Sequence, residues 1–153
     1  MAAILALIFP AETILPEPEQ TAIVQEATAV EINEADAEML ARLIYTEARG
    51  VESRDEQAAV AWCVLNRVDD DRWPDMVAEV VTQKGQFAYD KDAPIEDELY
   101  DIAVEVLTAW TSSDETARTL PREYVFFSGR NGHNYFRDAY KGGNTWNFMK
   151  GGE

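Results

Sequence analysis

Apolar residues recur at helical spacing over the segment that ends at Gly50. Met39 and Leu43 lie four residues apart, and Glu47 continues the same row, so the three side chains share one face of a helix. We expect this helix to cover residues 33–49, since Gly50 is a typical stop signal. The pattern therefore predicts that Glu47 lies at the edge of the buried stripe instead of in bulk solvent.

Three further helices follow from the same kind of pattern. Ser53 and Glu56 have the spacing of a capping box, which opens a second helix over residues 54–68. The almost continuous apolar run inside it predicts a position at the centre of the core. A short third helix is predicted over residues 74–81 and a fourth over residues 94–110, each opened by a proline.

The last forty residues change to a β pattern. Residues 124–127 are aromatic or β-branched and favour a strand, residues 128–132 contain an Asn-Gly pair typical of a hairpin turn, and residues 134–137 supply a return strand. Another loop is predicted at residues 142–144. The fold class is therefore α+β, a mainly helical domain with a small C-terminal β element.

The N-terminal segment has a different composition. Residues 1–9 are apolar but too short to span a bilayer, and they resemble the apolar part of a secretion signal without its basic residues. Residues 10–33 carry three prolines and scattered glutamates, which is typical of a flexible linker. We therefore expect two parts: residues 1–33, an apolar start plus acidic linker, and residues 34–153, a folded domain.

The charge of the chain argues against two classes of binding partner. The formal net charge is −16, from 29 acidic and 13 basic residues, and residues 1–41 hold no Lys or Arg. Nucleic acids and anionic membrane surfaces attract clustered Lys and Arg, so neither is expected as a partner.

Cys63 is the only cysteine, and it lies in the apolar run of the second helix, so we predict a buried, unreactive thiol. With one Cys and one His in the chain, we expect no transition-metal site and no cofactor.

The position of Glu47 suggests acid catalysis. A carboxyl group at the dry edge of a core is costly to ionise. A carboxylic acid that keeps its proton can donate it, which is what the general acid of a glycosidase does. The pattern alone leaves two structural alternatives open, a solvated glutamate and a member of a structural ion pair.

Four segments carry a set of motifs: Leu-Ala-Arg-Leu-Ile-Tyr-Thr-Glu-Ala-Arg-Gly at residues 40–50, Gln-Ala-Ala-Val-Ala-Trp-Cys-Val-Leu-Asn-Arg-Val at residues 57–68, Gly-Gln-Phe at residues 85–87, and Gly-His-Asn-Tyr-Phe-Arg at residues 132–137. Together they resemble the catalytic domain of the spore-cortex-lytic and related cell wall hydrolases. The spacing of the Glu-Ala-Arg-Gly and Leu-Asn-Arg-Val blocks is fairly specific. The similarity covers about residues 36–140.

The resemblance implies a lysozyme-like fold that cleaves peptidoglycan glycan strands. In the family the usual reaction is lytic transglycosylation, and the glutamate that matches Glu47 is the catalytic acid. Peptidoglycan is then the partner, and the expected location is the cell envelope or the extracellular space, with a phage-encoded origin also open. We expect a monomer without a transmembrane helix.

Six further residues are candidates for substrate binding. Two flank the acid, two belong to the Gly-Gln-Phe turn, and two belong to the C-terminal segment: Tyr45, Arg49, Gln86, Phe87, His133 and Tyr135.

Each candidate also has a structural alternative. Gln86 could satisfy loop backbone instead of binding an N-acetyl group or the acid, and His133 could be an exposed turn residue. Among Phe87, Tyr135 and Phe136, which could stack on sugar rings, we expect at least one to belong to the core. The pair at residues 66–67, Asn-Arg, is expected to tie the second helix to its neighbours by hydrogen bonds and charge pairing.

Three other functions compete with transglycosylation. A hydrolytic muramidase would use a second acid, for which the candidates are Glu52, Glu56, Asp90 and Asp138. A module that binds peptidoglycan without turnover is compatible with the same cleft, because Val51 stands where the family commonly has an acid. The last alternative is an acidic protein that docks a basic partner through residues 11–38. Truncation of that segment tests it, since unchanged digestion of cell walls would make the segment a tether.

Overall fold

The computed structural model describes residues 29–146 and residue 148. The apolar start and most of the predicted linker lie outside the described residues. Within the described residues four α-helices, a three-residue 3₁₀ helix and three strands follow one another: α1 (Glu34–Ala48), α2 (Arg54–Val68), α3 (Val77–Val81), α4 (Asp97–Thr111), the 3₁₀ helix (Glu115–Ala117), β1 (Phe126–Arg130), β2 (His133–Arg137) and β3 (Thr145–Trp146). The predicted α+β class, mainly helical with a small C-terminal sheet, is confirmed.

Helix α1 lies within one residue of its predicted bounds at each end. The side chain of Asn33 accepts hydrogen bonds from the backbone N–H groups of Ala35 and Asp36, at 2.9 and 3.3 Å, and so caps its first turn. The helix packs against α2 and α4 through a face that is fully buried at Leu40 and Leu43. That face positions the last turn of α1, which carries Glu47.

Helix α2 forms the centre of the core, as its apolar run predicts. Every residue from Ala58 to Arg67 is buried. The capping box at its start is only half formed. Ser53 Oγ accepts the N–H of Glu56 at 3.3 Å, but the Glu56 carboxylate does not return to the cap and binds the β-hairpin instead.

Helices α3 and α4 begin later than predicted. Each is preceded by a residue with extended backbone, Met76 at φ −124° and ψ 137° and Glu96 at φ −85° and ψ 136°. The prolines at positions 74 and 94 therefore lie ahead of the first helical turn instead of inside it, although proline suits either place because its φ is fixed.

Strands β1 and β2 form the predicted hairpin with a shifted boundary. The turn is Asn131 and Gly132, with φ values of 55° and 75°, and Arg130 pairs directly with His133. Two positive φ values in a two-residue loop match the right-handed twist of the strands. Strand β1 thus starts at Phe126 and extends through much of the segment predicted as turn. A third strand, β3, was missed and pairs with β2 after the predicted loop at 142–144.

The hairpin has two different faces, because side chains alternate along a strand. The inner face carries Phe127, Asn134 and Phe136, of which Asn134 and Phe136 are buried. The outer face carries the residues that alternate with them: Phe126, Ser128, Arg130, His133, Tyr135 and Arg137. The inner face packs against the core, and the outer face lies toward the surface.

In the described part of the chain, no helix combines the length and the apolar character needed to cross a membrane.

Candidate active site

An open cleft of about 370 Å³ lies between the end of α1 and the tip of the hairpin. We call it the main cleft. One wall comes from the last turn of α1 and the residues after it, and the other from the hairpin. Its lining residues are Thr46, Glu47, Ala48, Arg49, Gly50, Val51, Gly129, Arg130, Asn131, Gly132, His133 and Asn134.

Glu47 is half-buried in the main cleft and is held by two other parts of the chain. Its Oε1 accepts a hydrogen bond of 2.6 Å from the backbone N–H of Ala88, which follows the Gly-Gln-Phe turn. Its backbone carbonyl accepts a bond of 3.3 Å from the Asn134 side chain on β2. The turn and the hairpin therefore both fix the residue that carries the predicted acid.

The Ala88 contact also determines where Glu47 can carry a proton. A backbone N–H only donates, so Oε1 must be the acceptor in both protonation states. Among the described residues, no donor reaches Oε2 of Glu47. The proton of the neutral acid therefore belongs on Oε2.

Arg67 binds the Gly-Gln-Phe turn from the interior of the protein. It is only 3% exposed, and it donates hydrogen bonds to the Val125 carbonyl at 2.7 Å and to Gln86 Oε1 at 3.1 Å. Its guanidinium carbon lies 4.7 Å from the centre of the Phe87 ring, a cation–π distance. Burial lowers the pKa of Arg67 from its ordinary value. The predicted hydrogen bonds of Arg67 are confirmed, whereas the predicted charge pairing is wrong, since no acid within the described residues forms an ion pair with it.

Asn66, its neighbour, ties α2 to the following loop. It donates to the carbonyls of Pro121 and Tyr124, at 2.8 and 3.0 Å, and accepts from Arg118 at 2.5 Å.

Glu56 anchors the hairpin from beneath the cleft. It is 2% exposed, and its Oε2 lies 3.1 Å from Nδ1 of His133. Its other oxygen accepts the backbone N–H of Asn134. Because a carboxylate only accepts, Nδ1 of His133 carries the hydrogen of this contact, and Nε2 is the nitrogen left for other partners.

The structure brings together only some of the predicted site residues. Glu47, Arg49 and His133 all line the main cleft. Tyr135 lines an adjoining cleft on the outer face of the hairpin. Tyr45 lies beneath Arg49, whose guanidinium carbon is 4.9 Å from the centre of its ring.

The two candidates on the Gly-Gln-Phe turn do not line the main cleft. Gln86 is exposed and is bound to Arg67, and Phe87 is half-buried against Phe127, with 5.9 Å between ring centres. Phe136 is fully buried, so it is the core member of the predicted aromatic set. The proposed roles in substrate binding stay predictions.

None of the four candidate second acids lines the main cleft. Glu56 is buried with both oxygens engaged, and Asp138 accepts two bonds of 2.8 Å from Asn144. Glu52 and Asp90 are exposed outside the lining. Among the described residues that line the cleft, Glu47 is the only acid.

The described residues also contain no group of three His, Cys, Asp or Glu side chains that could hold a metal ion.

Sequence reasoning missed two residues of this site. Asn134 lies inside the Gly-His-Asn-Tyr-Phe-Arg segment, and alternation with the apolar Phe136 already places it on the inner face of a strand. Arg130 gave no signal, because its position on the outer face depends on β1 extending to Arg130, whereas residues 128–132 were predicted as a turn.

The comparison with protein families identifies the family of the chain. A family model described as Cell Wall Hydrolase matches residues 51–148, which is well over half of the chain. No curated protein and no solved structure matches significantly, so the likeness to lysozymes stays a prediction. The matched range begins just after Glu47 and contains the hairpin wall of the main cleft, Arg67 and Glu56. The chain therefore belongs to the cell wall hydrolase family and is an enzyme that acts on the peptidoglycan of the cell wall.

Proposed function

We propose that this enzyme is a lytic transglycosylase that cleaves the bond between N-acetylmuramic acid and N-acetylglucosamine, with Glu47 as both general acid and general base. One observation carries the proposal: Glu47 is the only acid among the described residues that line the main cleft. Transglycosylation needs a single carboxyl group, because the substrate supplies its own nucleophile.

The reaction is balanced with that one group. Oε2 of Glu47 donates its proton to the glycosidic oxygen, the bond from C1 to that oxygen breaks, and C1 acquires oxocarbenium character. The ionised Glu47 then takes the proton of the C6 hydroxyl of the same muramic ring. O6 bonds to C1, which gives a 1,6-anhydro end and returns Glu47 to its neutral form without consuming water.

The Ala88 contact suits both halves of this cycle. The N–H that binds Oε1 at 2.6 Å stays a donor when Glu47 loses its proton, and it then stabilises the carboxylate. It also restricts rotation of the carboxyl group, so that Oε2 stays directed into the cleft when it gives its proton to the glycosidic oxygen and when it takes the proton of the C6 hydroxyl.

A hydrolytic muramidase fits the site less well. Inverting glycosidases separate their two carboxyl groups by about 6.5–9.5 Å and retaining ones by about 5–5.5 Å, and in both cases the second group reaches the scissile bond. The candidate second acids are either bound to other groups or outside the main cleft. A module that only binds peptidoglycan is the remaining alternative.

The test is digestion of purified sacculi in water enriched in oxygen-18, followed by mass spectrometry of the released fragments. A transglycosylase gives anhydro ends that are one water lighter than reducing ends and contain no heavy oxygen. A muramidase gives reducing ends that carry one heavy oxygen. No released fragments from a folded enzyme would indicate a binding module.

We also propose that the enzyme works in the cell envelope or outside the cell, because that is where peptidoglycan lies. Fractionation of the source cells with an antibody against the folded domain tests this location. Recovery in the cytoplasmic fraction alone would contradict it.

A further inference from the structure

A second cleft of about 320 Å³ opens on the outer face of the hairpin and meets the main cleft at Gly129 and Arg130, which line both. We call it the side cleft. Its other lining residues are Ser128, Tyr135, Arg137 and Thr145. The mechanism proposed above uses none of its side chains.

Three of the basic side chains that have no acid partner among the described residues line these two clefts. The chain has a formal net charge of −16, and six of its basic residues form ion pairs elsewhere in the fold: Arg42, Arg54, Arg72, Lys91, Arg118 and Arg122. Arg49, Arg130 and Arg137 line the clefts, and none of them pairs with an acid among the described residues. In so acidic a chain, unpaired arginines at one place indicate a site for an anion.

Two features of the side-cleft arginines favour binding of a ligand. The Arg130 guanidinium carbon lies 5.1 Å from the centre of the Tyr135 ring, which limits the conformations of both side chains. Nε of Arg137 is buried and has no hydrogen-bond partner among the described residues. A buried donor without a partner is costly, and because Arg137 lines the side cleft, rotation of its guanidinium onto an anionic oxygen there would remove that cost.

The lining favours a carboxylate over an uncharged sugar group. Guanidinium groups bind carboxylates through paired, charge-assisted hydrogen bonds. The hydroxyl groups of Ser128 and Thr145 lie in the same lining and can donate to the remaining lone pairs of the anion.

We propose that the side cleft is a subsite for a carboxylate on the side chain of muramic acid, held by Arg130 and Arg137 while the scissile bond lies at Glu47. This inference rests on the proposed function, since it assumes that the main cleft receives the glycan strand. Peptidoglycan offers such a carboxylate from two sources. One is the lactyl group of a peptide-free muramic acid, and the other is the peptide stem attached to that group.

The experiment compares three preparations of glycan strands. The first keeps its peptide stems, the second is treated with an amidase so that only lactyl carboxylates remain, and the third keeps its stems with every carboxyl group converted to an amide. Of the two charged preparations, one should be cleaved faster. We expect kcat/KM on the amidated strands to be about tenfold below the value on that preparation, mainly because KM is higher. Whichever charged preparation is preferred identifies the source of the carboxylate.

Arg130→Gln and Arg137→Gln provide the decisive comparison. Each variant should lose the preference for charged strands, so that its kcat/KM on charged strands falls to its own value on amidated strands. Arg54→Gln is the matched control, because Arg54 is an exposed arginine that pairs with Glu105, and it should keep the preference. Equal rates of the wild type on charged and amidated strands would overturn the subsite, as would equal losses by the variants on both.

A binding measurement separates this inference from the proposed reaction. Glu47→Gln enzyme is titrated with soluble peptide-bearing muramyl fragments, charged or amidated, and heat or fluorescence reports their affinity. Tighter binding of the charged fragments, lost in the double variant with Arg137→Gln, supports the subsite even if oxygen-18 shows that the reaction is hydrolytic. Equal affinities overturn it, whatever the reaction is.

Discussion

Oε2 of Glu56 lies 3.1 Å from Nδ1 of His133, although 77 positions separate the two residues in the chain. The same carboxylate accepts the backbone N–H of Asn134, and the Asn134 side chain in turn donates to the backbone carbonyl of Glu47. The first turn of α2 therefore positions the hairpin, and the hairpin contacts the residue proposed as the acid. Glu56 therefore supports the site by holding the hairpin.

Glu56→Gln should weaken this link. The amide keeps one acceptor for the Asn134 N–H but presents a donor to His133, so we expect unfolding free energy to fall by about 1–3 kcal/mol. Urea denaturation measures the change. The matched control is Glu52→Gln, since Glu52 is exposed just before α2 and should leave the urea midpoint unchanged. Equal midpoints for both variants would show that the buried contact contributes nothing to stability.

Arg67→Met should affect both stability and catalysis. The substitution leaves the Val125 carbonyl and Gln86 Oε1 without their donor, and we expect a loss of roughly 2–4 kcal/mol of unfolding free energy. Because the Gly-Gln-Phe turn also places the Ala88 N–H on Glu47, kcat should fall at temperatures where the variant is fully folded.

The matched control for Arg67→Met is Arg54→Met. Arg54 forms an exposed ion pair with Glu105 at 2.8 Å, and such pairs contribute less than about 1 kcal/mol. Circular dichroism establishes the folded fraction, and initial rates on soluble glycan strands give kcat and KM. A folded Arg67→Met enzyme with wild-type kcat would contradict the role given to this turn.

Cys63 should be unreactive in the native protein. It is fully buried, and burial raises the pKa of its thiol to about 12. A chromogenic thiol reagent at pH 8 should therefore label the protein only after urea is added, since the thiolate is the reactive form. Rapid labelling of the folded enzyme would show that α2 is not the buried helix described here.

The raised pKa of Cys63 also gives a pH dependence of stability. The folded thiol holds its proton more tightly than the unfolded thiol, so its contribution is complete below the unfolded pKa and is lost as the pH rises toward 12. Denaturation midpoints measured from pH 8 to pH 11 should fall more steeply for the wild type than for Cys63→Ala. Parallel curves would contradict this assignment.

The features that the sequence predicts well depend on short-range patterns. Spacing by four residues placed Glu47 at the end of α1, and the Asn131-Gly132 pair located the hairpin. Both follow from backbone geometry within a few residues, as does the burial of Cys63 in an apolar run.

The features that it missed depend on contacts between distant segments. Ser53 and Glu56 have the spacing of a capping box, yet the Glu56 carboxylate finds stronger partners on a hairpin that no local pattern could place beside it. The side cleft requires the register of β1 with β2, which brings Arg130 over Tyr135. A hydrogen bond such as that between Ala88 and Glu47 likewise becomes visible only when the helix and the turn are packed together.

The most direct test of the account is the rate at which Glu47→Gln enzyme releases soluble fragments from purified sacculi, measured beside the wild type and Glu52→Gln. Glutamine keeps the shape of the side chain and removes the transferable proton, and loss of a general acid typically costs about 10²–10⁴ in rate. We expect a folded variant with a loss in that range, while Glu52→Gln stays at the wild-type rate. Release by Glu47→Gln at or near the wild-type rate would contradict it, because the glycosidic oxygen would then receive its proton from another group.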